Sequence, residues 1–483
     1  MSDGRGAGGR VALVTLGCGR NEVDSDQVAG SLAAAGYTLV DDPEQADCVL
    51  VNTCTFIAPA RQESIDVVLD ACGAADGRVL VIGCMAQRYG AELAAALPEA
   101  AGVVGFADYP RLPELVGRVL AGEPLEPLDD GDAAAAPPRG RRSLPLLTPA
   151  PQPAGPSAAA PSAPPTAAFP VRTVPRGAWA YLKLAGGCDR ACTFCTIPSY
   201  RGLFASRPLD EIVAEARWLV DHGVRELVCV SENTTSWGKD LPGGRRRNQV
   251  ELVRALDAIE GLERVRLLYL QPAELVDELL DAMAASRVVA PYYDLSLQHA
   301  SAPVLARMGR SGSAERFAEL VADIRARDPE AVFRSSFIVG FPGETDGDVD
   351  VLEAFLTEAR LDWAGFFTFS PEEGTPAATM PDQVDPAEAR ARRDRLVAVA
   401  EAVAEDNAAA YVGRRLRVLV DGHDDGDAVG RSHREAPETD GEVRLPGCDV
   451  PVGRLLEVDV VDAVGVDLLA RPAGDRLVTG ARP

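Results

Sequence analysis

The chain has 483 residues, with 48 Lys plus Arg against 73 Asp plus Glu, a formal net charge of −25. At roughly 100–200 residues per domain that length predicts about three domains, and 47% apolar with 25% charged residues is the composition of a protein that buries real cores. No run of 18 or more apolar residues occurs, which excludes a membrane-spanning helix, and the acidic balance argues against a bulk polyanion such as non-specific DNA and for a basic protein partner.

The Gly- and Arg-rich start, Met1 to Arg10, is followed only by the short apolar run Val11–Leu16. That is not a signal peptide, so a cytoplasmic location is expected. Residues 11–120 then alternate between strand and helix patterns. Val11–Leu16 predicts a strand, Asp24–Ala35 a helix closed by Gly36, and Cys48–Val51 and Val79–Ile82 two more strands. Apolar runs separated by helical stretches predict an open parallel α/β sheet covered on both faces. Residues 133–170 change character: 12 of the 38 are Ala and 11 are Pro. Such a segment cannot offset its ordering entropy by burial and is expected to be a flexible linker.

From Ala180 to about Leu396 the alternation returns. The candidate strands are Ala180–Leu184, Glu226–Val230, Arg264–Leu270, Tyr292–Leu297, Val332–Val339 and Trp363–Phe369, with helices such as Asp210–His222 between them. Six repeats predict a partial (β/α)6 barrel rather than the closed eightfold form. A helix over about Asp385–Ala410 follows. Beyond Tyr411 come the short alternations Leu416–Val420, Val429–Gly430, Val443–Leu445, Leu455–Val461 and Val466–Ala470, which predict a small β-barrel. The expected division is an N-terminal domain over 10–125, a linker over 126–175, the partial barrel over 176–410 and the β-barrel over 411–483.

Ten cysteines in a long chain without a signal peptide are not a disulfide framework; clustered, they point to metal or redox chemistry. Cys188, Cys192 and Cys195 form C-x3-C-x2-C directly after the first barrel strand. Three thiolates on one loop can hold three irons of a cubane cluster and leave the fourth open to a small molecule. At the C-terminal end of a barrel strand, the loop would face the barrel mouth. A structural zinc site is the alternative, but it needs a fourth ligand, and the next histidine is His222 on a helix.

Cys18, Cys54 and Cys84 are far apart in sequence, yet each directly follows an apolar strand. In an open parallel sheet the C-terminal strand ends share one edge, where ligands bind. Three loops there would bring three thiols together, with Gly17 and Gly83 letting the backbone turn around a bulky ligand. Three inert core cysteines are the other reading. Cys48, Cys72, Cys229 and Cys448 show no such pattern and are expected to be structural.

The x3/x2 spacing after a barrel's first strand resembles the signature of radical S-adenosylmethionine enzymes. Leu16-Gly17-Cys18-Gly19-Arg20-Asn21, Val51-Asn52-Thr53-Cys54, Gly83-Cys84 and the loop Gly340-Phe341-Pro342-Gly343-Glu344-Thr345 resemble the methylthiotransferase family within that class, and the C-terminal β-barrel is similar to its TRAM domain. The resemblance implies two [4Fe-4S] clusters, an auxiliary one on Cys18, Cys54 and Cys84 and a radical-generating one on Cys188, Cys192 and Cys195. The latter triad would bind S-adenosylmethionine. It also implies replacement of an unactivated C–H by C–SCH3, with all six cysteines catalytic, and an electron donor such as flavodoxin or ferredoxin. Gly19-Arg20, Ser231-Glu232-Asn233-Thr234, Leu270-Gln271 and Ser296 depart from the family's usual residues, and none of these is a cysteine of either triad.

One branch of the family modifies tRNA adenosines; the other modifies an aspartate of ribosomal protein S twelve. Pro291-Tyr292-Tyr293-Asp294-Leu295-Ser296-Leu297-Gln298-His299-Ala300-Ser301, Gly430-Arg431-Ser432 and Ala436-Pro437-Glu438-Thr439-Asp440-Gly441 resemble the protein-modifying branch. Residues 411–483 hold 10 Arg and 14 Asp or Glu, a net of −4. A tRNA-gripping domain should be basic, whereas an acidic one complements a basic ribosomal protein. The expected activity is aspartate methylthiotransfer, with tRNA methylthiotransfer and a non-catalytic iron-sulfur sensor as alternatives. Gln298 and His299 end the fourth barrel strand, where they could face the reactive carbon, although a lone histidine is more often structural, and Glu344 suits a helix N-terminus.

Overall fold

In the N-terminal region the strands Cys48–Thr53 and Val79–Gly83 are buried at every position. That is the state of central parallel strands covered on both faces. Their side chains divide by the two-residue period of a strand. Val49, Val51, Val79 and Val81 enter one core with residues of the helices Ala58–Ala74 and Cys84–Ala96. Cys48, Leu50, Leu80 and Ile82 enter the other with Val28, Leu32, Leu112, Leu115 and Val116, from the helices Gly19–Ala34 and Leu112–Leu120. From edge to edge the order is Thr38–Val40, Arg10–Thr15, Cys48–Thr53, Val79–Gly83 and Gly102–Val103, all parallel. The strand order reverses direction between Arg10–Thr15 and Cys48–Thr53, and at such a point an open sheet has a crevice outside its carboxyl ends.

This computed structural model describes residues 8–125 and 172–474. The Ala/Pro-rich stretch 133–170 lies outside the described residues. The chain forms two compact units. The first comprises the N-terminal sheet domain with Gly186–Arg190 and Thr196–Ala205; the second comprises Val174–Ala185, Ala191–Cys195 and everything from Ser206 onward.

The second unit contains six parallel strands in sequential order: Trp179–Lys183, Glu226–Val230, Arg264–Leu270, Val289–Gln298, Val332–Val339 and Trp363–Thr368. The first and last do not pair, so the barrel is open, as the six repeats predict. The 24-residue helix Pro386–Ala409 leads to a closed five-stranded barrel of Arg415–Asp424, Asp427–Arg431, Val443–Leu445, Leu455–Val464 and Asp467–Pro472. Its core alternates along the strands: Leu416, Val418, Val420, Val443, Leu445, Val458, Val460, Leu468 and Ala470.

The segment Arg431–Asp440 leaves this small barrel and packs against the N-terminal ends of the six strands. Glu226, the first residue of its strand and fully buried, accepts from Arg266 Nε at 2.6 Å, Arg431 Nη1 at 2.9 Å and Arg264 Nη1 at 3.3 Å. Arg266 also donates to the carbonyls of Ser432 and His433 at 2.7 Å each. Trp363 Nε1 donates to Arg434 O at 2.8 Å, and the Arg434 guanidinium lies 4.3 Å from the Trp363 ring centroid. The N-terminal mouth is thereby filled, and substrate chemistry is left to the C-terminal strand ends, where barrels of this type carry their sites.

Candidate active site

In the first unit three strand-end turns carry Cys18, Cys54 and Cys84. Cys18 is the N-cap of Gly19–Ala34, Cys54 directly follows Cys48–Thr53, and Cys84 opens its helix directly after Gly83. Two glycines draw the turns together. Gly17 has φ +103°, and a Cβ there would lie 2.9 Å from Cys54 Cβ and 3.0 Å from Cys54 Sγ. Gly83 has φ +92°, and a Cβ there would stand 2.2 Å from Asn52 Oδ1. Both positions combine a left-handed backbone with no room for a side chain.

Polar side chains tie the same turns. Asn21, 1% exposed, donates through Nδ2 to Leu16 O at 2.7 Å and Thr53 O at 3.2 Å, bridging the first two turns. Its Oδ1 is 3.5 Å from Cys84 Sγ in the third. Asn52 Nδ2 donates to Asn21 O at 3.0 Å and Ser25 Oγ at 2.9 Å. The Cys54 N–H donates to Ser64 Oγ at 3.0 Å. Arg201, from the short helix Ile197–Arg201, lays its guanidinium against Cys84.

These neighbours set the thiol acidities. Burial raises the Cys18 thiol, but the Arg20 and Arg201 guanidiniums and the backbone N–H groups of Asn21 and Arg20 outweigh it, and the net shift is downward. Burial pushes Cys84 up to about 11 against the pull of Arg201, and burial also raises Cys54. A Cys18 charge is felt at both other thiols, as expected of groups on one edge of one sheet. Among the described residues no three His, Cys, Asp or Glu side chains could share a single metal ion. A cubane makes a different demand, because each cysteine binds its own iron.

The division between the units falls within the C-x3-C-x2-C stretch. Cys188, in the first unit, donates its N–H to Gly202 O at 3.0 Å, and Gly187 before it has φ +74°. Cys192 and Cys195, in the second, are joined by a turn in which Cys195 N donates to Cys192 O at 3.2 Å. Thr193 fixes that turn: its N–H donates to Met308 O at 3.1 Å, its hydroxyl to Arg307 O at 2.8 Å, and its carbonyl accepts from Ala377 N at 2.9 Å. Arg310 Nη1 lies 3.7 Å from Cys192 Sγ.

His299 takes the structural place more often found for a lone histidine. It is fully buried; Nδ1 accepts from Ser301 N at 2.9 Å and Nε2 stands 3.4 Å from Glu344 Oε2. Glu344 in turn accepts from Gly340 N at 2.9 Å and from Arg392 at 3.1 Å. The pair braces the Gly340–Thr345 turn. The helix Asp346–Ala359 is capped by Thr345 and Asp348 in a reciprocal capping box, not by Glu344. Gln298 has φ +73°, a strained backbone at its strand end. Cys48 and Cys229 are core residues of strands, with thiols raised by burial. Asn21, Ser64, Arg201 and Arg310 contact cysteines of the two triads, and sequence reasoning gave them no role. Only the closeness of Asn21 to Cys18 and of Arg201 to Cys195 in sequence hinted at two of them.

Residues 10–105 match the model of Uncharacterized protein family UPF0004, residues 182–356 that of the Radical SAM superfamily and residues 412–472 that of the TRAM domain. Fold and cysteine motif thus define a three-part radical S-adenosylmethionine enzyme. Among solved structures, the radical S-adenosylmethionine methyltransferase TsrM from Kitasatospora setae aligns with a TM-score of 0.49 at 17% identity, over 76% of each chain. Curated relatives are much nearer. The ribosomal protein uS12 methylthiotransferase RimO of Streptomyces coelicolor is 47% identical over 96% of both chains, and that of Cutibacterium acnes 45% identical over 96% of this chain and 98% of its own. The chain belongs to the RimO family of methylthiotransferases.

Proposed function

We propose that this chain inserts a methylthio group at the β carbon of an aspartate in ribosomal protein uS12, with Cys18, Cys54 and Cys84 holding an auxiliary [4Fe-4S] cluster and Cys188, Cys192 and Cys195 holding the radical-generating one. The observation that carries the reading is the cross-bracing of the three strand-end turns by Gly17, Gly83 and Asn21, which presents three thiols from one sheet edge. The donor set fits a cubane with one open iron: three sulfur ligands, each on its own turn. When bound, the two clusters and S-adenosylmethionine supply the reductive cleavage, the hydrogen abstraction and the sulfur.

The chain's own residues hold and shield. Thr193 and the Met308 and Arg307 carbonyls set the pitch of the Cys192–Cys195 turn. The braced Gly340–Thr345 turn and the buried Ser231–Ser236 segment line the C-terminal strand ends. In that segment Asn233 and Ser236 donate to Glu274 at 3.1 Å and 2.7 Å. The filled N-terminal mouth keeps solvent from entering behind the site. A small electron-transfer protein such as flavodoxin or ferredoxin is the reductant in this reading, and the cytoplasm its location. No helix among the described residues is long and apolar enough to cross a membrane. Curated relatives at 45–47% identity carry the uS12 name, so tRNA is not favoured as substrate.

The test is anaerobic reconstitution with reductant, S-adenosylmethionine and uS12. The Cys192→Ala chain should cleave no S-adenosylmethionine, and the Cys54→Ala chain should cleave it without thiolating uS12. Thiolation by Cys54→Ala would reject the two-cluster assignment, and mass spectrometry showing one methylthio group on uS12 aspartate fixes the substrate.

A further inference from the structure

We propose that Arg201 is a positioning residue of the auxiliary cluster: through paired N–H···S bonds to Cys84 it orients that ligand and raises the cluster's reduction potential. The proposal rests on the assignment of Cys18, Cys54 and Cys84 as ligands. Its own ground is local geometry. Arg201 Nε lies 3.3 Å and Nη2 3.1 Å from Cys84 Sγ, so one edge of the planar guanidinium fork is spent on a single sulfur. Nη2 also donates to Asn21 Oδ1 at 2.6 Å, the side chain that bridges the other two turns. Asp24 Oδ2 stands 3.2 Å from Nη2, and the guanidinium carbon lies 5.2 Å from the Phe106 ring centroid. The Arg201 side chain is 6% exposed and that of Asp24 is 2% exposed.

A neutral thiol is a weak acceptor. Aiming two donors of a buried cation at one brings little benefit by itself. The same donors aimed at an iron-bound thiolate form charge-assisted bonds of about twice the strength of neutral ones. The arrangement therefore suits the liganded state of Cys84. Donors to a ligand sulfur and a nearby positive charge favour the reduced, more negative cluster, which moves the potential upward. Arg201 belongs to none of the three ligand turns, which lie on Cys18, Cys54 and Cys84. It follows Cys195 by six residues in sequence, and its contact with Cys84 spans 117 positions.

If Arg201 served only as the ion-pair partner of Asp24, removing it would lower stability and leave the cluster's electronics alone. The decisive experiment uses the full chain with Cys188, Cys192 and Cys195 all replaced by Ala, so that one cluster remains. It is reconstituted anaerobically and titrated electrochemically with EPR detection. About four irons per chain are expected in this background; failure to bind them would overturn the ligand assignment, independently of Arg201. Given the cluster, Arg201→Gln should move the potential to more negative values and Arg201→Lys by less, because the charge stays while the fork is lost. Asp24→Asn, which leaves the guanidinium less compensated, should move it the other way. Opposite signs for Arg201→Gln and Asp24→Asn support the proposal, and unchanged potentials in cluster-loaded variants overturn it. Should Arg201→Gln fail to hold iron, Arg201→Lys decides: a potential more negative than the parent's supports the role, and no shift or a positive one overturns it.

Discussion

Replacing Glu226 by Gln should cost the second unit about 3–5 kcal/mol, the range for removing one partner of a buried charge network. Three guanidiniums, of Arg264, Arg266 and Arg431, converge on this fully buried carboxylate at 2.6–3.3 Å, and among the described residues the other carboxylate in direct contact with them is Asp421, at 2.6 Å from Arg431 Nε. A second route gives a similar size. Against the cost of burial, Arg431, Arg266 and Arg264 hold the Glu226 carboxyl at about 2, against an ordinary 4.5. At about 1.36 kcal/mol per tenfold change in proton affinity, that is roughly 3 kcal/mol. A depressed folded value contributes stability above the unfolded value and loses it as pH falls towards the folded one. The gap between native chain and variant should thus be full above pH 5 and close towards pH 2. All four tryptophans, Trp179, Trp218, Trp237 and Trp363, lie in the second unit, so the shift of a urea midpoint read by tryptophan fluorescence reports it alone. A loss under about 1 kcal/mol, or a gap that ignores pH, would refute the view that this network fastens the small barrel to the sheet.

Gly17→Ala should cost about 1–2 kcal/mol for an L-residue in left-handed backbone and should displace Cys54, since the new methyl would lie 3.0 Å from its Sγ. Iron should fall from about eight to about four per chain, and unchanged iron would refute the packing account. His433 is held at about 3, by burial first and then by the guanidiniums of Arg264, Arg266, Arg414 and Arg434, against an ordinary 6.5. The unfolded chain therefore takes up its proton first, and stability declines as pH falls from 6.5 towards 3. His433→Asn should flatten that decline in the same fluorescence assay.

How much of this was legible depended on burial. Glu226–Val230, Arg264–Leu270 and Val332–Val339 were readable to the residue because their Val, Leu, Ile and Phe runs stand out between turn signals, even with Glu226, Arg264, Arg266 and Arg334 among them. The edge strands Thr38–Val40 and Gly102–Val103 were missed, having three and two residues and little apolar signal. The first helix begins at Gly19, not Asp24, because its opening turns carry Asn21, Asp24 and Ser25, buried polar groups that serve the cysteine turns and hide the apolar stripe. The strand-end positions of Cys18, Cys54 and Cys84 were legible since strand ends are visible in sequence. Arg201 was not, because no local pattern announces a contact 117 residues away. Nor was the burial of Arg434 and Glu435, each 0% exposed, in a stretch that reads as a charged surface loop.

That burial bears on the partner. Sequence acidity in the C-terminal domain has meaning only if the acidic groups reach solvent. Of residues 411–474, Arg431 and Arg434 are buried, as are Glu435 and the side chain of Asp440, which is 1% exposed. Two positive and two negative groups are withdrawn together, so the imbalance survives intact: six Arg remain accessible against eleven Asp or Glu, a net of −5. A phosphate backbone would meet repulsion there, since nucleic-acid affinity rests on neutralising phosphates with Lys and Arg. A basic protein surface would be drawn in, with electrostatics acting on encounter rate and choice of partner more than on final affinity. The buried arginines are spent, with their carboxylate partners, on holding the small barrel to the sheet, so the acidity of its accessible groups is that of its composition.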